Sequence, residues 1–111
     1  MKWLPGRQGG GYSKLPLIQL AFRGRWFDCW LLKFPDGCFI IQHKDVVPNF
    51  RHFRLNITLW PAEGGEFRCD PKAIIYQNRF VTYFRPDEGL HEQDLITKGT
   101  RYVLSFGWAR R

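Results

Sequence analysis

His43, Lys44 and Asp45 set an imidazole and a carboxylate two residues apart. In an extended chain residues i and i+2 point to the same side, so both groups can reach one cation. An exposed histidine followed by a turn aspartate would show the same spacing, and the triplet gains meaning only from what else the chain offers. His91, at the end of the run Arg85-Pro86-Asp87-Glu88-Gly89-Leu90-His91, supplies a second imidazole. Two neutral imidazoles and one carboxylate form the facial triad that holds non-haem Fe(II) with coordination positions left open. Arg101 follows ten residues after His91. A guanidinium there can pair through two parallel hydrogen bonds with the carboxylate of a ligand.

These side chains need a scaffold with an inner and an outer face. The chain has 111 residues, which suits one domain with one core. Short apolar runs punctuated by Pro, Gly, Asn and Asp predict strands over 27–34, 38–43, 52–60, 66–68, 73–76, 80–84, 91–95 and 100–108, and no long helix. That spacing predicts an all-β fold, a double-stranded β-helix or jelly roll in minimal form with few or no covering helices. Extended, the run 52–60 puts Arg54, Asn56, Thr58 and Trp60 on one face and Phe53, Leu55, Ile57 and Leu59 on the other. The last strand likewise separates Arg101, Val103, Ser105 and Gly107 from Tyr102, Leu104, Phe106 and Trp108. Periodicity alone leaves the polar faces either in solvent or around an internal pocket; the metal-binding pattern favours the pocket.

Residues 1–27 carry Lys2, Arg7, Lys14, Arg23 and Arg25 and no acid, and are expected to form a basic arm and first covering segment ahead of a catalytic core over 28–111. Gly9-Gly10-Gly11 follows no strand and precedes no GK[ST], so it is not a phosphate loop. Seventeen Lys and Arg against ten Asp and Glu give a formal charge of +7. This favours an anionic partner (nucleic acid, acidic protein or a small dicarboxylate) without choosing among them. A 17% aromatic share argues against disorder. No apolar run approaches the roughly 20 residues of a membrane helix, and no apolar stretch of a secretory leader follows Met1-Lys2-Trp3. Cys29, Cys38 and Cys69 are odd in number and lack CxxC spacing. They make neither a disulfide framework nor a zinc site and are expected to be reduced thiols in the cytoplasm.

Taken in order, YSKLPLIQ, CWLLKFPDGCFIIQHKD, FRLNITLWPAEGGEFRC and RFVTYFRPDEGLHEQDLITKGTRYVLSFGW make the chain resemble the Fe(II)/2-oxoglutarate-dependent dioxygenase superfamily. The similarity is to its short prolyl-hydroxylase-like and aspartyl/asparaginyl-hydroxylase-like members. It rests on the ordered combination of HxD, a GGEF-like strand, FRPDxxxH and GTRYVLSFGW. The resemblance implies a hydroxylase that uses Fe(II), 2-oxoglutarate and O2, with a protein side chain as the favoured substrate. It implies that His43, Asp45 and His91 bind the metal and that Arg101 holds the distal carboxylate of 2-oxoglutarate. Arg54 and Asn56 stand where the aspartyl/asparaginyl-hydroxylase-like members have an Arg and a His in contact with the cosubstrate. Many relatives also place a tyrosine hydroxyl near that carboxylate. This chain has Phe34 and Phe39 there, which leaves Thr58, Tyr83 or Ser105 to supply it. Arg54-Leu55-Asn56-Ile57-Thr58 is similar to the RxNxT of the nucleobase-demethylating branch, but it precedes His91 instead of following it, so it does not support a repair function.

Three further expectations follow. His52, beside Arg51, is read as a strand-edge surface residue. Trp60 and Trp108 are read as core residues before pocket residues. The chain lacks the N-terminal helices that usually cover one sheet in this superfamily, so its apolar faces need either segment 15–22 or a second copy, and a homodimer is expected. Two rivals share much of the pattern. A cupin-like metal-binding jelly roll without 2-oxoglutarate would not need Arg101. A non-enzymatic basic β-barrel would bind nucleic acid through aromatics and arginines, and would keep that affinity without His43, Asp45 and His91.

Overall fold

The computed structural model describes residues 2–6, 10–22, 25–45, 50–60 and 62–110. Their strands are β1 (Leu4–Pro5), β2 (Ser13–Phe22), β3 (Arg25–Phe34), β4 (Ile40–His43), β5 (Arg51–Trp60), β6 (Glu63–Gly64), β7 (Phe67–Cys69), β8 (Ile74–Gln77), β9 (Val81–Phe84), β10 (His91–Gln93), β11 (Ile96–Lys98) and β12 (Arg101–Arg110). A single 3-10 turn, Pro71–Ala73, precedes β8. The protein is all-β with antiparallel pairing: a seven-stranded sheet ordered β1-β2-β3-β12-β5-β9-β8, a three-stranded sheet β4-β10-β7 and a two-stranded ribbon β11-β6.

Three ten-residue strands form the centre of the large sheet. β12 pairs with β3 without a break from Arg101↔Phe34 to Ala109↔Trp26, and with β5 as far as Arg110↔Arg51. Because the pleat alternates, each strand sends one row inward. Trp26, Asp28, Trp30, Leu32 and Phe34 of β3, His52, Arg54, Asn56 and Thr58 of β5, and Arg101, Val103 and Ser105 of β12 line a cavity of about 340 Å³. His43, Phe67, His91 and Gln93 from the three-stranded sheet line it too. The polar faces of β5 and β12 therefore surround a pocket instead of meeting solvent. Tyr12, Phe34, Cys38, Ile96 and Val103 form a buried apolar cluster. The opposite rows build an outer aromatic face, where Phe53 stacks on Trp108 with ring centroids 5.9 Å apart.

The N-terminal expectation needs correction. Residues 13–22 are not an arm or a cover: β2 pairs along β3 from Ser13↔Lys33 to Phe22↔Arg25, and β3 begins inside the expected arm, at Arg25. The register shifts between Pro16 and Ile18, which breaks the two-residue alternation that would have marked a strand. Pro16 sits at this irregularity, beyond the two residues that β1 pairs, a place where a strand tolerates a residue without an N–H. Two short strands, β6 and β11, were also not expected. Arg7, Gly9 and Arg23 lie outside the described residues; Gly10 accepts a hydrogen bond from Phe39 N at 3.1 Å. Among the described residues no helix is long and apolar enough to cross a membrane, and all three cysteines are unpaired.

Ile96 is fully buried and reaches Gly65, whose φ of +65° and close approach leave no room for a side chain. Ile96→Ala should lower stability by about 3 kcal/mol, measured by urea unfolding. A loss below about 1 kcal/mol would mean the cluster collapses around the gap and is not the tight core.

Candidate metal centre

His43 ends β4 and His91 opens β10, and the antiparallel register sets them directly opposite each other. Their rings meet edge to face with centroids 4.2 Å apart. Asp45 leaves β4 two residues later, with its N–H bonded to Pro86 O at 2.8 Å. That turn is braced by Arg85, which bonds the Asp87 carboxylate at 2.7 and 3.2 Å and lies 3.1 Å from Glu88. The FRPDEG segment therefore delivers His91 and anchors Asp45 together.

The protonation pattern of the two rings follows from their partners. His43 Nδ1 lies 2.7 Å from Ile41 O, and His91 Nδ1 lies 3.1 Å from Gly89 O. A carbonyl only accepts, so both Nδ1 atoms carry the proton. In the neutral rings this leaves the lone pair on each Nε2, and those atoms sit 3.7 and 3.4 Å from the two Asp45 oxygens. One ligand atom from each residue falls within 4.8 Å of the others. Three electron-pair donors thus converge, with backbone carbonyls holding the rings from behind, as in metal sites whose histidines are oriented by a second hydrogen bond. Burial pulls the Asp45 carboxyl upward, but when the two rings are protonated their Nε2–H groups and positive charge outweigh it and hold the carboxyl well below the usual carboxylate range; a bound cation would take the place of those protons. Phe67 and Phe84 pack on the His91 ring at 6.0 and 5.3 Å and shield it.

The other expected residues fall in three groups. Arg54, Asn56 and Ser105 form one network. Arg54 donates from Nη2 to both Asp28 oxygens at 2.9 and 3.1 Å, and from Nη1 to Ser105 Oγ at 2.8 Å. Ser105 in turn donates to Asn56 Oδ1. β12 lies between Arg54 on β5 and Asp28 on β3, and Gly107 is what lets the guanidinium cross it: a Cβ there would stand 2.0 Å from Arg54 Nη2 and 2.8 Å from Asp28 Oδ1. Thr58 lines the cavity beside Val103. Arg101 lines it as well, but donates from Nη1 and Nη2 to the carbonyls of Gly65 and Gly64.

Several expectations are overturned. Tyr83 cannot supply a hydroxyl to the cavity, because alternation turns it to the outer face, where it packs on Phe53 and Trp108. Trp60 is 67% exposed and Trp108 belongs to the outer face; the tryptophans of the cavity are Trp26 and Trp30. His52 is not a surface residue. It is only 6% exposed, and neither ring nitrogen has a hydrogen-bond partner. Burial chiefly, aided by the charge of Arg54, pushes its pKa down against the weaker pull of the Asp45 backbone, the Asp45 carboxylate and Asp28. Sequence reasoning also missed Asp28, Gln93 and Tyr12 in the cavity wall. The Trp26-Phe27-Asp28-Cys29-Trp30 alternation could have shown Asp28 inside, since it puts that acid on the face of two indoles. Tyr12 brings a tyrosine to the wall against Phe34, with ring centroids 5.3 Å apart.

Gly107→Ala should dislodge the Arg54 guanidinium and leave Asp28 and Arg54 unpaired in the cavity. The expected loss is about 3 kcal/mol in urea unfolding. An unchanged midpoint would show that the bridge contributes nothing to stability.

No family model and no curated protein matches the chain. Among solved structures, the crystal structure of Rhodobacter sphaeroides SigE in complex with the anti-sigma ChrR contains a similar chain, with a TM-score of 0.56 and 19% identity over 96% of this chain and 48% of that one. The protein thus spans about half the length of the chain it matches, and the likeness is one of fold alone.

Proposed function

We propose that the protein is a minimal jelly-roll oxygenase that uses Fe(II) and 2-oxoglutarate. The observation that carries this reading is the convergence of His43 Nε2, His91 Nε2 and the Asp45 carboxylate, with both Nδ1 atoms already bonded to carbonyls. Acceptors facing one another in this way call for a cation, and a two-imidazole, one-carboxylate set suits non-haem Fe(II). With the metal bound, the chemistry supplied is decarboxylation of 2-oxoglutarate by O2 to succinate and CO2, coupled to hydroxylation of a substrate C–H bond.

The protein's own groups bind, orient and exclude water. His43 and His91 hold the metal in fixed ring orientations, and Asp45 offsets part of its charge. Arg101 offers its two N–H groups to a carboxylate, a stronger acceptor than the Gly64 and Gly65 carbonyls it serves otherwise. Thr58, Asn56 and Ser105 give the wall near it hydrogen-bonding capacity. Phe67 and Phe84 keep water from the His91 side. The large sheet facing β4-β10-β7 across a lined cavity supports the jelly-roll reading, and the unpaired thiols support a reducing compartment, the cytoplasm.

One observation favours a second reading. The Arg101 donors are already taken up by two backbone carbonyls, as suits a cupin-like metal-binding jelly roll in which this arginine only fastens the β6–β11 ribbon.

Calorimetric titrations separate the two. Wild type should bind one equivalent of Mn(II), a redox-inert stand-in for Fe(II), and His43→Ala should lose it. Arg101→Lys should bind the metal normally but hold 2-oxoglutarate at least tenfold more weakly, because the fork geometry is gone. Unchanged 2-oxoglutarate affinity, or none in wild type, would favour the cupin reading; no metal uptake by wild type would sink both.

A further inference from the structure

We propose that Gln93 is a ligand-binding residue: its side-chain amide donates to a carboxylate held beside the Arg101 guanidinium. The inference rests on the oxygenase reading only in making that carboxylate the distal one of 2-oxoglutarate.

Gln93 is only 8% exposed and lines the cavity, yet its Nε2 has no hydrogen-bond partner. A donor buried without an acceptor destabilises the fold, so its place calls for an acceptor that the chain itself does not supply. The strand register says where that acceptor lies. Along β10 the inward row holds His91 and then Gln93. Gln93 pairs with Ile40 of β4 and Phe67 of β7, both also in the cavity wall. Beyond this pair Asp94 N donates to Glu66 O at 3.0 Å and Gly65 N to Leu95 O at 2.9 Å. Gly65 is the residue whose carbonyl accepts from Arg101 Nη1. Gln93 therefore stands two residues from the metal ligand His91 and two from the Leu95–Gly65 pair at which the guanidinium is fixed. A ligand reaching from the metal toward Arg101 passes it.

Arg101 is the independent observation. It lies half-buried in the same wall, and its partners are the Gly64 and Gly65 carbonyls; among the described residues no carboxylate pairs with it. The acidic group that acts on it is the Cys38 thiol, which burial pushes up to about 11, so at neutral pH it carries no compensating charge. Arg54, the other arginine of the cavity, already has Asp28. A guanidinium withdrawn from water without a counter-charge favours a bound anion, and the Gln93 N–H adds a further donor and no charge. Phe34 pairs with Arg101, Leu32 with Val103 and Ile40 with Gln93, and all three apolar residues line the cavity. The anion that suits such walls is carried on methylenes: an alkyl carboxylate, in preference to free phosphate. Gln93 thus offers the donor that Phe34 and Phe39 cannot.

The test follows the Gln93 side-chain amide itself in proton–nitrogen correlation spectra of the isotope-labelled full chain. Glutarate, the same dicarboxylate without the keto group, is added to the metal-free protein, and 2-oxoglutarate to the Zn(II)-loaded protein. Each should move the Gln93 amide protons downfield to saturation, and inorganic phosphate should leave them in place. These wild-type spectra need no variant to fold. Gln93→Leu should weaken both dicarboxylates about tenfold, the loss of one hydrogen bond to a charged acceptor, with Zn(II) uptake unchanged. If glutarate moves the amide but 2-oxoglutarate binds the Zn(II) form no more tightly than glutarate does, the carboxylate site stands and the oxygenase reading falls. If 2-oxoglutarate binds tightly while the amide stays in place and Gln93→Leu keeps full affinity, the proposal is overturned and the oxygenase reading survives. An amide that moves with phosphate alone, or with neither dicarboxylate, overturns it as well.

Discussion

A buried charge is stable only beside its counter-charge, and the Arg54–Asp28 bridge imposes that requirement on three strands at once. The guanidinium starts on β5, crosses β12 at Gly107 and ends on β3. It fixes the register of the central strands from the inside and, through Ser105, fixes Asn56 as well. The inner row can then be polar without collapsing, and a cavity remains where a small all-β domain would otherwise fill its centre with apolar side chains. The candidate metal ligands His43 and His91 face this polar wall from the opposite sheet. Their rings are held by local bonds, His43 to Ile41 and His91 to Gly89, so the cluster needs little from the large sheet except a space to face.

The same pleat that creates the inner face creates its opposite. Phe27, Phe53, Leu55, Leu104, Phe106 and Trp108 are turned outward by the alternation that turns Asp28, Arg54 and Ser105 inward. Tyr83 is drawn into that outer layer, so its hydroxyl is lost to the site. One constraint thus decides both which polar groups reach a ligand and which aromatic groups are left for other contacts.

Much of this was legible in the sequence, for a physical reason. Where strands run uninterrupted, as in β5 and β12, two-residue alternation assigns each side chain to a face, and the placement of Arg54, Asn56, Thr58, Ser105 and Arg101 follows. The convergence of His43, Asp45 and His91 was suggested by residue chemistry, although only the register of β4 on β10 brings the two rings together. What failed was less local. The bulge after Pro16 hid β2, and β6 and β11 are too short to carry a period. His52 was misjudged because a histidine beside Arg51 looks exposed, and nothing in its neighbours shows that the Trp26 ring packs on it and Asp45 lies close by. Asp28 needed a partner 26 residues away, and Gly107 acquires its meaning only once that partner is known to lie across it.

The central claim is that the three converging ligands and the polar wall beside them hold iron and a 2-oxo acid together. Anaerobic titration of the purified protein with Fe(II) and then 2-oxoglutarate, followed by visible absorption, tests it most directly. Chelation of the metal by the keto and carboxylate oxygens of the acid produces a weak charge-transfer band, and the structure predicts that this band grows to saturation at one equivalent of iron. Iron that binds without any band on addition of 2-oxoglutarate would contradict the shared site, and protein that takes up no iron would contradict the metal centre itself.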